Sequence, residues 1–137
     1  MFTVENRVGK LLEVRYSSPT NFEEARDLQM NVASCLAKLP GNVITCADFR
    51  GMTVVAPELG DLFVGMLRRD NNKIARNGYL INGSAILGLQ LERVLREVNH
   101  PGRRAFRHRV EIEQWLDEVL APSEQSRMRV FLDGGAS

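Results

Sequence analysis

An α/β fold built on a mixed sheet follows from three features of the sequence. Stretches of strand character alternate with stretches whose apolar residues recur at helical spacing, the pattern of βα units. One stretch, Val43 to Asp48, has little polar content before its last residue, as a strand covered on both faces requires. The first two strand candidates are joined by the short run Asn6 to Gly9, so they form an antiparallel hairpin beside the later parallel strands.

Taken in order, Phe2 to Glu5 and Lys10 to Tyr16 are the hairpin strands, and Gly9 supplies the positive φ of the turn. Leu12, Val14 and Tyr16 share the face that packs on the core, with Glu13 and Arg15 opposite. Thr20-Asn21-Phe22-Glu23 fits a capping box that starts a helix. Ala25, Leu28, Val32, Cys35, Leu36 and Leu39 form its apolar stripe, and Pro40-Gly41 stops it. Val43 to Asp48 is the central strand. Arg50-Gly51 turns the chain, Thr53 to Ala56 is an extended loop, and Pro57 opens a second helix. Glu58 and Asp61 in its first turn, with Arg68 and Arg69 in its last, complement the helix dipole.

Asp70 to Asn72 is a turn, Ile74 to Ile81 a strand, and Ser84 the cap of a third helix reaching about Val98. His100-Pro101-Gly102 ends that helix. Arg104 to Arg107 is a brief, charged edge strand. Val110 to Leu120 is a helix with Ile112, Trp115, Leu116 and Val119 inward, and Pro122 opens a last helix to about Leu132. The predicted order is β-β-α-β-α-β-α-β-α-α. One domain over residues 1–132 and a flexible tail over residues 133–137 are expected from a chain of 137 residues.

The net charge of +1 gives no global field to recruit nucleic acid or an anionic membrane. No apolar run approaches a membrane span, and the N-terminus lacks a signal-peptide core, so a cytoplasmic protein is expected. Cys35 and Cys46 each sit in an apolar pattern and read as small buried hydrophobes. The two histidines, His100 and His108, lie near no Gly-x-Ser-x-Gly elbow, so a hydrolase reading has weak support. No spacing of His, Cys and carboxylates indicates a metal, no phosphate-binding loop is present, and no cofactor is expected.

The segment Ala47-Asp48-Phe49-Arg50-Gly51-Met52-Thr53 resembles the strand-to-loop segment of STAS domains, the superfamily of bacterial anti-sigma-factor antagonists. There a hydrophobic strand ends in Asp-hydrophobic-Ser-Gly-hydrophobic-Thr. The element order is similar, and GLQLERVLREVNHPGRRAFRHRVEIEQWLDEVL resembles uncharacterised SpoIIAA-like bacterial proteins. The resemblance implies a SpoIIAA-like fold and a non-enzymatic regulatory module that binds a protein partner. Where the antagonists carry Asp-Ser-Ser before the helix, this chain has Ala56, Pro57 and Glu58, so the phosphorylated hydroxyl is missing.

Two readings of function follow. The first is the protein-interaction module, with Asp48, Arg50, Thr53, Glu58 and Asp61 at the contact surface. A structural role is weighed beside each: Asp48 as a turn acceptor and Glu58 as a partner of the helix dipole. The second is a small-molecule or lipid-binding domain, since certain lipid carriers are distantly similar in architecture. Met30, Met52, Met66, Phe49 and Phe63 then line an apolar pocket, although such residues are more often plain core. Arg103, Arg104, Arg107 and Arg109 form a basic group fit for an anion, with solvated charge as the plainer alternative. A homodimer through the C-terminal helices or an outer helix face is expected if one sheet cannot cover the faces around Trp115 and Phe131.

Overall fold

Val43–Phe49 is buried at every position and forms β3, the centre of a five-stranded sheet. In the computed structural model, which describes residues 1–134, the sheet order is β1-β2-β3-β4-β5. β1 (Phe2–Val8) and β2 (Leu11–Tyr16) form the antiparallel hairpin. β2, β3, β4 (Ile74–Ile81) and β5 (Arg103–Phe106) run parallel, so β3 is paired on both sides as its apolar sequence requires. The hairpin turns at Gly9, whose φ of 54° is left-handed.

Because side chains alternate along a strand, each buried strand feeds two cores. Leu12, Val14 and Tyr16 of β2 join Val43, Ala47 and Phe49 of β3 and Tyr79 and Ile81 of β4 on one face. That face is covered by α1 (Phe22–Ala37), α2 (Pro57–Asp70) and α3 (Ala85–Val98). Leu11, Ile44, Cys46, Leu80 and Phe106 point the other way, toward α4 (Arg109–Asp117) and α5 (Pro122–Gly134). Gly78 admits α4: a Cβ there would lie 2.9 Å from the Ile112 side chain.

The second core decides several expectations. Glu13 and Arg15 point toward α5, Glu13 buried and Arg15 part-exposed. Glu13 is buried and takes two hydrogen bonds of 2.8 Å from Arg127 of α5. The sheet covers both C-terminal helices: Met128, Phe131, Leu132, Ile112 and Leu116 are buried on it. The motive for a dimer through those helices is thereby removed. Val119, expected inward, is 39% exposed because α4 ends at Asp117.

Other boundaries shift for local reasons. The cap of α1 is Asn21, not Thr20, since the Asn21 side chain accepts the Glu24 N–H at 2.7 Å. The edge strand starts one residue early, at Arg103, whose N–H bonds the His100 carbonyl. Asp133 and Gly134, expected in the flexible tail, belong to α5. Residues 135–137 of that expected tail lie outside the described residues. Among the described residues no helix is long and apolar enough to cross a membrane.

Candidate functional site

Asp48 closes β3 on the α5 side of the sheet and is 2% exposed. Its Oδ1 accepts from the Arg50 backbone N–H at 3.1 Å and from Arg50 Nε at 2.9 Å. Its Oδ2 accepts from Arg50 at 3.0 Å and from Arg15 Nε at 3.2 Å. The same two arginines donate onward to the carbonyls of Leu132 and Phe131, at the C-terminal end of α5. A helix end presents unsatisfied carbonyls and partial negative charge, so two cations belong there. Burial acts to raise the Asp48 carboxyl, but the hydrogen bonds and charge of Arg50, with the bond from Arg15, outweigh it and hold the group below its usual range.

The turn role expected for Asp48 is therefore present, and Arg50, expected as a contact residue, directs its side chain to Asp48 and the Leu132 carbonyl. Arg50 is a clamp between β3 and α5. Sequence reasoning placed it outward because the second helix layer could not be assigned to that face.

The loop after β3 is held by three other side chains. Asn82 donates to the carbonyls of Arg50 at 3.0 Å and Met52 at 2.7 Å. The Ser18 hydroxyl accepts the Thr53 N–H at 3.0 Å and pairs with the Thr53 hydroxyl at 3.1 Å. Gln90 of α3 binds Val55 on both sides, accepting its N–H at 2.9 Å and donating to its carbonyl at 2.7 Å. Glu58 and Asp61 are exposed in the first turns of α2, where they favour the dipole.

These ties shape an apolar cleft between α2 and α3, with a volume of about 230 Å³. Its floor is Phe49 and Tyr79 of the sheet. Val64 and Leu67 of α2 face Leu87, Leu91 and Val94 of α3 across it, and Val55, Ala56 and Pro57 close one end. Asp61, Gln90, Arg93 and Glu97 supply its polar border. Met52, Met66, Phe49 and Phe63 line it as expected, whereas Met30 stands on the outside of α1, 67% exposed. Gly60 widens the cleft: on the inward side of α2 it leaves open space where a side chain would project. Sequence reasoning missed Gln90, Leu91, Val94 and Gly60, although a glycine inside a helical pattern is a signal of close approach or empty volume.

The basic group does not assemble. Alternation sends Arg104 to the α4 face, where it stacks over Trp115 at 5.0 Å. Arg109 lies at the start of α4 and pairs with Glu113 and Asp133 at 2.6 Å each. Arg107 is exposed at the strand end. Arg103 turns inward and is 7% exposed. The expected surface anion site is thus divided among two faces and the interior.

Cys46 is fully buried and Cys35 half-buried, both as free thiols, and burial pushes the Cys46 thiol up from its ordinary value. His100 organises the turn before β5, with Nε2 at 2.9 Å from the Ile74 carbonyl and Nδ1 accepting the Gly102 N–H at 2.8 Å. Among the described residues no group of His, Cys, Asp and Glu is placed to hold a metal ion. No protein-family model matches the chain, and no curated protein matches it.

Proposed function

We propose that this chain is a non-enzymatic binding domain that holds a small apolar molecule in the α2–α3 cleft. The cleft is the observation that carries the reading. A cavity of about 150 Å³ lined by aliphatic and aromatic groups is enough to bind benzene, so the volume here suits a short-chain or single-ring compound. The walls offer apolar contact on all sides but the border, the usual composition of a ligand site. Two methionines add surfaces that adjust to shape.

Calorimetric titration with 1-octanol tests it. Saturable binding near one equivalent, lost when Leu91→Trp fills the cleft, is the expected result. Absence of binding, or binding that Leu91→Trp leaves unchanged, overturns the reading.

A second reading, the regulatory interaction module, draws on the exposed apolar residues Val54, Ile86 and Leu89, at 56%, 58% and 67% exposure. The likeness to STAS domains belongs with this reading. Its support is the mixed sheet together with the segment Ala47 to Thr53. Leu89→Glu separates the two. It leaves octanol affinity at the wild-type level under the first reading, and abolishes capture of a protein partner under the second.

A further inference from the structure

Arg103 is a buried cation without an anion in contact. From the edge strand its side chain crosses β4 to the end of α2. Nε donates to Asn71 Oδ1 at 3.1 Å, and the two terminal nitrogens donate to Asn77 Oδ1 at 2.8 Å and to the Leu67 carbonyl at 3.1 Å. Among the described residues these three acceptors are neutral, and no carboxylate forms an ion pair with Arg103. A guanidinium carries five N–H groups, and with the Tyr79 hydroxyl as a fourth neutral partner some hydrogen-bonding capacity remains. The nearby carboxylate, Asp70, favours the Arg103 charge without touching it and spends its hydrogen bonds on Arg69, at 2.7 and 2.8 Å. Taking a charge out of water is costly, and neutral acceptors offset only part of that cost.

A void of about 40 Å³ lies beside this group, with Arg103, Asn77, Asp70, Thr45 and Tyr79 lining it among apolar side chains. It has room for one small polar group. The void and the apolar cleft share Phe49, Met66, Leu67 and Tyr79 as walls, so the two spaces adjoin beneath α2. Met66 is the unbranched, readily turned side chain between them.

We infer that the ligand is an aliphatic carboxylate, its chain in the α2–α3 cleft and its carboxylate against Arg103. The inference rests on the apolar-ligand reading and adds the head group to it. Met66 turns aside to join the two spaces. The carboxylate supplies an anion in direct contact and takes up the remaining N–H capacity in charge-assisted hydrogen bonds. Arg93 is the other cation of the cleft, but it is exposed on the border and lies 3.4 Å from Glu97.

The test compares octanoate with 1-octanol by calorimetry on the full chain at neutral pH. Octanoate is expected to bind roughly tenfold tighter or more, the range of a charge-assisted contact. The preference should vanish in Arg103→Gln and persist in Arg93→Gln. Equal affinities in the wild type overturn the head-group assignment while the apolar-ligand reading stands. A preference that vanishes with Arg93→Gln and survives Arg103→Gln also overturns it. Failure of both probes to bind removes both inferences. Should Arg103→Gln fail to fold, carboxyl-labelled octanoate bound to the wild-type chain gives the answer by NMR. Ionisation held to lower pH than in free octanoate, in the wild type and in Arg93→Gln alike, is expected. An unshifted or raised midpoint, or a lowered one that Arg93→Gln abolishes, overturns the assignment.

Discussion

Gln90 gives both halves of its amide to one residue, accepting the Val55 N–H and donating to the Val55 carbonyl. A side chain of α3 thus stands in for a neighbouring strand and holds the loop against the mouth of the cleft. Gln90→Ala removes both bonds from a part-exposed site, with an expected loss of about 1–2 kcal/mol in stability. The Val55 amide should then exchange with solvent faster than its neighbours Met52 and Thr53, which Phe49 and Ser18 still hold. Residue-resolved hydrogen exchange checks this. Equal protection of Val55 in both proteins would show that the loop is held by other means.

The glycines of α2 separate stability from binding. At Gly60 and Gly65 an added Cβ meets no atom within 4 Å, so replacement should gain about 0.5–1 kcal/mol through helix propensity. Gly65 is exposed and lies outside the cleft, whereas Gly60 lines it. Gly65→Ala is expected to raise the melting temperature and leave octanol binding intact. Gly60→Leu is expected to abolish binding without lowering the melting temperature. Thermal unfolding beside calorimetry checks both, and a Gly60→Leu protein with wild-type affinity would place the ligand elsewhere.

The Asp48 network predicts an acid limit. The folded carboxyl is held below its ordinary value, so its contribution is present above the unfolded value of about 3.9 and is lost as pH falls through the folded one. Asp48→Asn should therefore flatten the fall in stability below about pH 4 and lower stability at neutral pH. Arg50→Ala leaves Arg15 as the remaining side-chain donor to Asp48 and frees the Leu132 carbonyl. A loss of about 2 kcal/mol is expected, read by urea unfolding at neutral pH. An unchanged midpoint for Arg50→Ala would return that residue to the surface role its sequence position implies.

The fold was legible where local chemistry and burial agree. Val43 to Asp48 is apolar because both faces are covered, and Pro57 and Ser84 begin helices because their chemistry suits those positions. Ile74 and Ile81 bound β4 in the sequence as in the structure. The site was legible in part. Phe49, Met52, Phe63 and Met66 were readable as pocket residues, but nothing local distinguishes them from plain core. Gln90 looks like any polar residue on a helix surface until the loop meets it. Arg103 reads as surface charge because Asn77 and Leu67 lie 26 and 36 residues away, and Arg50 does so because the helix end it clamps, at Leu132, lies 82 residues away although Asp48 is its near neighbour. Long-range pairing of that kind leaves no periodic mark.

Methyl-resolved NMR during an octanol titration tests the central claim most directly. The cleft contains the methyl groups of Met52, Met66, Leu91 and Val94, while Met128 and Leu116 report from the core beneath α4 and α5. The account predicts saturable shifts in the first set with the second set unmoved. Shifts absent from the first set, or spread equally over both cores, would contradict it.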